Sequence, residues 1–356
     1  MKETNYWNYL KVEELLALQT GLGEDESGVG NDELLFIVVH QIYELWFKLI
    51  LRELTFARNA LSEDMPHDHR VAPIVRSLRR AIVIFEQANQ HFRVIETMTT
   101  RDFLDFRDAL TPASGFQSAQ MREVEILLGL EDHERISLGN RCFKDALKSA
   151  DGTPSWSSRR VEARIAQGPS FKDCLYEWLS RLPIVGTVDG FIGDYVRAIR
   201  DENRSRAQML VECGLPPDDI ERLAARRRAD ESNVEAYLRA QDDPEADMAT
   251  RAKRRAVRAA LLYIESYRER PELGWPRELI EAVLDFEQAF VIWRQRHARM
   301  VERIIGRRVG TGGSSGVDYL DETALRYRVF SDLWAARSLL LRKAAVPTLD
   351  PALEDR

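Results

Sequence analysis

Hydrophobic residues recur at helical spacing along most of the chain. The clearest case is residues 32–60, where apolar side chains follow one another at i, i+3 and i+4 almost without interruption. This pattern predicts a long helix that is buried on most sides. The same spacing predicts helices over 71–98, 117–130, 170–182, 254–270, 277–305 and 321–343. Alternating runs typical of strands are nearly absent, so the pattern predicts an all-α fold, a single large helical domain of long packed helices.

Three segments depart from this apolar periodicity. Residues 149–159 (SADGTPSWSSR) and 310–316 (GTGGSSG) are rich in Ser and Gly, which predicts loops. Residues 215–255 carry dense charge of both signs, which is typical of a solvated helical surface. We therefore predict one domain over residues 1–356, with a charged helical excursion at about 215–255.

Composition and charge narrow the class of protein. The 356 residues are 44% hydrophobic and 31% charged, enough for both a buried core and a solvated surface. The formal net charge of −7 argues against a nucleic-acid partner. Three cysteines without CxxC spacing predict neither a disulfide framework nor structural zinc, which favours a cytoplasmic protein. We find no apolar stretch of about 18 residues, so we expect no membrane partner.

Two of the six histidines lie inside strongly apolar helical segments. His40 lies in FIVVHQIYELWF, with Phe36 one turn before it on the same face. His297 lies in FVIWRQRHARMVERIIG, with Trp293 and Met300 at helical spacing. An imidazole among aromatic and thioether groups suits a haem iron ligand, although a buried histidine with a purely structural role is the commoner case.

Other candidates for binding groups follow in RDFLDFRDALTPASGFQS. Arg107 lies one turn after Phe103, and its planar guanidinium suits a carboxylate, although a surface ion pair is the simpler alternative. Ser114 and Gly115 lie in the turn that follows, where a glycine lets a flat ligand approach the backbone. Thr311 lies in GTGGSSG, whose hydroxyl and N–H groups suit a small polar ligand, whereas a plain linker is the alternative.

The motifs of common catalytic machineries are missing from the sequence. There is no HExxH, no P-loop lysine after GTGGSSG, no dinucleotide fingerprint and no nucleophile triad spacing. Chemistry in this chain would therefore have to come from a bound cofactor.

Three long segments together resemble one known family. FIVVHQIYELWFK, TMTTRDFLDFRDALTPASGFQSAQMR and RHARMVERIIGRRVGTGGSSGVDYL are similar, in this order, to the signature blocks of the tryptophan 2,3-dioxygenase family. YWNYL near the start and RYRVFSDLW near the end also resemble it. The resemblance implies an all-helical homotetramer that binds haem b and uses dioxygen to convert L-tryptophan to N-formylkynurenine.

The resemblance also implies roles for the residues already singled out. His297 would be the proximal ligand of the haem iron, and His40 would be the distal histidine that accepts a hydrogen bond from the indole N–H. Phe36 and Phe103 would form the walls around the indole. Arg107 would bind the carboxylate of the substrate.

Further roles implied by the resemblance fall on loops and on the N-terminus. Thr311 would hold the amino-acid end of the substrate, and Ser114 and Gly115 would lie beside haem and indole. Tyr6 and Tyr9 resemble residues that reach into the pocket of a neighbouring subunit.

Three alternatives stay open beside tryptophan catabolism. One is a family relative in a biosynthetic pathway that oxidises a substituted tryptophan, as a dioxygenase or as a monooxygenase. A second is a haem-binding sensor without turnover, and a third is a helical interaction module without haem. The oxygen atoms in the product separate the first alternative from the leading interpretation. A haem spectrum without N-formylkynurenine would indicate the sensor, and the absence of a Soret band after haem addition would indicate the interaction module.

Overall fold

The computed structural model describes residues 4–62, 68–110, 117–137, 143–149, 151–308, 310 and 316–349, and the side chains of all of these except 68–70. Within these ranges the chain forms α-helices and short 3-10 turns, and they contain no strand. The prediction of an all-α fold is confirmed.

The α-helices of the described ranges differ widely in length. In chain order they are α1 (Tyr6–Leu10), α2 (Val12–Leu16), α3 (Asn31–Ser62), α4 (Asp68–Ile95), α5 (Thr100–Arg107), α6 (Ala119–Leu128), α7 (Phe143–Ala146), α8 (Trp156–Ile165), α9 (Phe171–Ser180), α10 (Val188–Glu212), α11 (Pro217–Leu238), α12 (Met248–Ser266), α13 (Gly274–Ile305), α14 (Val317–Arg326) and α15 (Ser331–Leu339). The 3-10 turns are Glu26–Gly28, Asp108–Leu110, Asp132–Glu134, Pro271–Leu273 and Lys343–Ala345.

Most of the predicted helices are present with small shifts at their ends, but two predictions were wrong. The helix predicted over 321–343 is two helices, because α14 ends at Arg326 and α15 begins at Ser331. Between them the backbone N–H of Val329 donates a hydrogen bond to the buried carboxylate of Glu287 at 2.6 Å. In a continuous helix this N–H would instead bond to the carbonyl oxygen four residues earlier, so it could not reach Glu287.

The loop predicted over 149–159 is also partly helical. Helix α8 begins at Trp156, and the Ser155 hydroxyl caps it by accepting a hydrogen bond from the Ser158 N–H at 3.1 Å. The Ser-rich composition that suggested a loop is therefore the cap and first turn of a helix.

The contacts of the chain divide it into two compact units. The first comprises Met1–Thr55, Ser77–Gly168 and Asp285–Val329, and the second comprises Phe56–Arg76, Pro169–Leu284 and Phe330–Arg356. In the first unit α6 packs against α8, and in the second α12 packs against α9, α10, α11 and α15. The single domain predicted for residues 1–356 stays a prediction.

The charged segment 215–255 is largely helical. It contains α11, in which only Leu238 is buried, and the start of α12. The exposure of α11 is the physical counterpart of its charge, because charged side chains keep their hydration when they face solvent.

Helix α3 corrects one expectation about membranes. Among the described residues it alone is long and apolar enough to cross a membrane, by length and composition only. Such a helix is weak evidence for a span, because the core helix of a soluble protein has the same properties. Val39, Tyr43 and Ile50 of α3 are buried, but Leu45, Leu49 and Phe56 are exposed. The helix therefore buries one face, and the prediction that it is buried on most sides was wrong.

Candidate active site

The first candidate, His40, lies in the second half of the third turn of α3, within the first unit. Its Nδ1 lies 2.7 Å from the carbonyl oxygen of Phe36, one turn earlier. A carbonyl only accepts hydrogen bonds, so Nδ1 carries the proton and Nε2 is left as an acceptor. His40 can therefore receive a hydrogen bond from an N–H group of a ligand.

An aromatic wall of Phe36, Phe103 and Phe106 begins at His40. The Phe36 ring lies 4.0 Å from the His40 ring, 5.9 Å from the Phe103 ring and 5.5 Å from the Phe106 ring, measured between centroids. Phe103 and Phe106 belong to α5, which begins with a capping box between Thr99 and Asp102. This cap fixes where α5 starts and hence which of its residues face α3.

The environment of His40 combines exposure with desolvation. His40 is an exposed residue by accessible surface. Burial nevertheless lowers the pKa of His40, by more than the hydrogen bond to Phe36 and the charge of Glu44 raise it. The His40 ring therefore contacts solvent on one side and protein on the others. The neutral form of His40 is favoured there.

Glu44, one turn after His40, fixes the start of α6. Its carboxylate accepts hydrogen bonds from the Ser118 hydroxyl at 2.6 Å and from the Gln120 amide at 2.7 Å. Ser118 is also the N-cap of α6, since its hydroxyl accepts from the Met121 N–H at 3.3 Å. These bonds tie α6 to the helix that carries His40.

The second histidine, His297, lies on α13 and is half-buried. Its ring stacks on those of Trp293 and Phe92, with centroid distances of 5.2 Å and 5.9 Å. Burial, followed by charge interactions with His40, Arg294 and Arg122, lowers the pKa of His297 to about 4. His297 is therefore neutral at pH 7, and a neutral imidazole is the form that binds a metal.

The two histidines are electrostatically close. The charge interaction of His40 is the second largest influence on the pKa of His297, after burial. Such an interaction weakens with distance, so both rings border the same region of the first unit.

The ring nitrogens of His297 fit a metal ligand. Among the residues that the structure describes, neither nitrogen has a hydrogen-bond partner, and the Trp293 Nε1 beside it is buried and also lacks one. A neutral imidazole nitrogen that bonds to no described protein group is available to a ligand. The rings of Phe92 and Trp293 pack against the His297 ring and fix its orientation.

A buried ion cluster lies on the same side of the site as His297. Glu125 of α6 accepts hydrogen bonds from Arg122 at 3.0 Å, from Arg135 at 2.5 Å and from Arg294 at 2.6 Å. Burial alone raises the pKa of Glu125, but the three positive charges outweigh it and hold the pKa well below its usual value. Glu125 is therefore ionised at neutral pH.

The remaining predicted residues are spread over several segments. Arg107 is half-buried in the last turn of α5, which also carries Phe103. Tyr6 and Tyr9 on α1 are 74% and 76% exposed. The structure places Phe36, His40 and Phe103 together, and it does not bring Tyr6 or Tyr9 into a buried contact.

Three predicted residues, Ser114, Gly115 and Thr311, lie outside the described residues. The base of the Gly-rich segment is described. Gly316 has φ +59°, and a Cβ built on it would lie 3.0 Å from the carbonyl oxygen of Arg308. Only glycine fits both the positive φ and this close approach, so the two ends of the segment meet.

Sequence reasoning missed three residues of the site. Phe106 completes the aromatic wall, and its spacing of three residues from Phe103 on one helix was the available signal. Phe92 stacks on His297 and Glu44 anchors α6, but both contacts join segments far apart in the sequence. No local pattern distinguishes such residues from ordinary core and surface positions.

These features suit an all-helical enzyme with an aromatic-lined site and a histidine available to a metal-containing cofactor. The model of one family, described as tryptophan 2,3-dioxygenase, matches residues 1–340. The chain belongs to the tryptophan 2,3-dioxygenase family. The predictions of this family and of an oxidoreductase acting as a tryptophan dioxygenase are confirmed.

Relatives from distant organisms cover nearly the whole chain. It is 64% identical over 355 residues to tryptophan 2,3-dioxygenase 2 of Ralstonia nicotianae, covering 98% of this chain and 96% of the relative. It is 63% identical to tryptophan 2,3-dioxygenase of Sorangium cellulosum, covering 99% and 87%. It is 34% identical to tryptophan 2,3-dioxygenase B of Danio rerio, covering 97% and 84%. The family is haem-dependent. This agrees with the prediction that the chemistry of this chain comes from a bound cofactor.

Proposed function

We propose that this chain binds haem b through His297 and cleaves the C2–C3 bond of the L-tryptophan indole with dioxygen. Both oxygen atoms enter the product, N-formylkynurenine, so the reaction needs no further reductant. The observation that carries the proposal is the pair of neutral imidazoles: Nδ1 of His40 is bonded so that its Nε2 can accept, and His297 has no hydrogen-bond partner among the described residues. When bound, haem iron with one axial imidazole supplies the redox chemistry that activates dioxygen.

The residues of this chain would position the substrate. The Nε2 of His40 accepts the indole N–H, and the rings of Phe36, Phe103 and Phe106 hold the indole plane. Arg107 binds the substrate carboxylate through two parallel hydrogen bonds. Holding both ends of the substrate fixes the position of the C2–C3 bond, and positioning of this kind supplies much of the rate enhancement.

The loop residues would complete the site. Thr311 holds the amino-acid end, and Ser114 and Gly115 lie beside haem and indole. The close approach of Gly316 to the Arg308 carbonyl holds the two described ends of this segment together, which supports a binding role for the segment between them.

A homotetramer in the cytoplasm is part of the proposal. Helix α1 exposes Tyr6, Trp7, Tyr9 and Leu10, at 74%, 47%, 76% and 49%. Four exposed apolar side chains in one short segment favour burial against another protein surface. Tyr6 and Tyr9 would reach into the pocket of a neighbouring subunit. The Tyr6→Ala, Tyr9→Ala double variant should then lose activity out of proportion to any change in haem content.

The experiment that tests the function is reconstitution with haem under anaerobic conditions, followed by L-tryptophan and ¹⁸O-labelled dioxygen. A product carrying two labelled atoms is expected. One labelled atom would support the monooxygenase alternative, and a haem spectrum without product would support a sensor. Substituted tryptophans assayed in parallel define the preferred substrate.

A further inference from the structure

The buried ion cluster contains more positive charge than its single carboxylate neutralises. We define the Glu125 cluster as Glu125 with Arg122, Arg135 and Arg294. Their side chains are 1%, 8%, 4% and 8% exposed. One negative and three positive charges leave an excess of two. Asp132 offsets part of it from the surface, since its carboxylate lies 3.7 Å from the Arg135 Nε and is 62% exposed.

Stability alone does not account for this excess. Taking a charge out of water costs several kcal/mol unless an opposite charge compensates it. One cation would compensate Glu125, whereas the structure gives it three. The Arg135 Nη2 is buried and has no hydrogen-bond partner among the described residues. The four side chains of the cluster therefore place a summed charge of +2 in a region that water reaches poorly.

Arg294 connects the cluster to the helix face that carries His297. Arg294 precedes His297 by three residues on α13, so the two lie on the same face of the helix. The Arg294 guanidinium lies over the rings of Phe290 and Tyr327, at 4.3 Å and 4.9 Å from their centroids. Rings on its faces and a carboxylate at its edge leave little water to screen its charge, so its field reaches His297.

We propose that the Glu125 cluster raises the reduction potential of iron bound at His297 and so favours the ferrous state that combines with dioxygen. Reduction adds one electron to the iron, and nearby positive charge stabilises the added negative charge. The proposal rests on the proposed function, because it requires haem on His297. It assigns the cluster an electrostatic role beyond joining α6 to α13.

The test compares reduction potentials of the haem-loaded, full-length protein by spectroelectrochemical titration. Arg294→Gln should lower the ratio of ferrous to ferric protein at a fixed potential by about tenfold, which equals about 59 mV for one electron. Glu125→Gln should shift the ratio in the opposite direction. Opposite signs from two members of one cluster identify charge as the cause, since loss of packing would not reverse sign.

Arg299→Gln is the matched control. Arg299 lies two residues after His297 on the same helix, 48% exposed and paired with Asp321. The same charge is lost, but water screens it, so the ratio should change by less than about twofold. Arg135→Gln, which should lower the ratio as Arg294→Gln does, decides the question if Glu125→Gln fails to fold.

Two failures are distinguishable. If wild-type protein binds no haem, or binds it equally after His297→Ala, the proposed function is wrong. If haem binds through His297 but Arg294→Gln, Arg135→Gln and Arg299→Gln share the wild-type potential, the function stands and the role of the cluster is overturned.

Discussion

His40 and His297 occupy similar positions in the sequence and different environments in the structure. Each lies in a long apolar helix, in the part of that helix that belongs to the first unit. His40 is exposed beside phenyl rings, and its Nδ1 bonds to the Phe36 carbonyl. His297 is half-buried, stacks on Trp293, and has no hydrogen-bond partner among the described residues.

The difference shows how one side-chain type supports two tasks. A backbone bond at Nδ1 turns His40 into a fixed acceptor for a ligand N–H. Stacked rings and nearby arginines instead keep His297 neutral and free to bind a metal. Each prediction below removes or weakens one side of this contrast.

The largest effect is expected from His297→Ala. Loss of the iron ligand should reduce activity on the order of 1,000-fold or more, since even the partners of metal ligands are worth 10–100-fold. The measurement is the Soret absorbance per mole of protein, together with turnover. His133→Ala, at an exposed histidine, is the control and should keep full haem content. A normal Soret band in His297→Ala would remove the proximal role.

Arg107→Leu should lower kcat/KM by about 100-fold, mostly through KM. Two charge-assisted hydrogen bonds to the substrate carboxylate are lost, each contributing about 1.5–3 kcal/mol in favourable settings. Arg101→Leu on the exposed face of α5 is the control for charge and helix stability. Steady-state kinetics with L-tryptophan and with tryptamine provide the readout. An equal loss with tryptamine, which lacks the carboxylate, would contradict the assignment.

His40→Leu should lower kcat/KM for L-tryptophan by about tenfold while haem content stays normal. One hydrogen bond from the indole N–H is lost, a change of about 1 kcal/mol or slightly more. With N1-methyl-tryptophan, which has no N–H to donate, the wild type and the variant should differ less. If both substrates lose activity equally, His40 serves the pocket through shape and not as an acceptor.

Gly316→Ala should raise KM several-fold with little effect on kcat. A side chain at φ +59° costs about 1–3 kcal/mol, and its Cβ would meet the Arg308 carbonyl at 3.0 Å. Both effects open the base of the segment that carries Thr311. Gly306→Ala is a less demanding comparison, because its φ of +61° is similar but nothing lies within 4 Å of the Cβ. Equal effects of the two substitutions would show that close approach at Gly316 is unimportant.

The smallest effect concerns pH. Burial lowers the pKa of His40, so its ring takes up a proton only below the usual value of 6.5. An acceptor role needs the unprotonated Nε2, and kcat/KM should therefore stay constant as pH falls from 8 to 6.5 and decline only below that. In His40→Leu this decline should weaken. A decline already beginning above pH 7 in the wild type would contradict a lowered pKa.

Much of the fold was predictable because helical periodicity is a local property. The segments that became α3, α9 and α13 repeat apolar residues at helical spacing, and the structure confirms them. The break between α14 and α15 was not predictable, because it depends on Glu287, some forty residues away in sequence. The same holds for the role of Glu44 at the start of α6.

The sequence by itself determined the helical class, the family and the residues His40, His297 and Arg107 as candidates, because these depend on local order and on long motifs. Only the tertiary structure decided which nitrogen of His40 is free, which rings stack on His297, and how Arg122, Arg135 and Arg294 come to surround one carboxylate. Those properties arise from contacts between distant segments, and the energies of burial and charge act through space, whatever the separation along the chain.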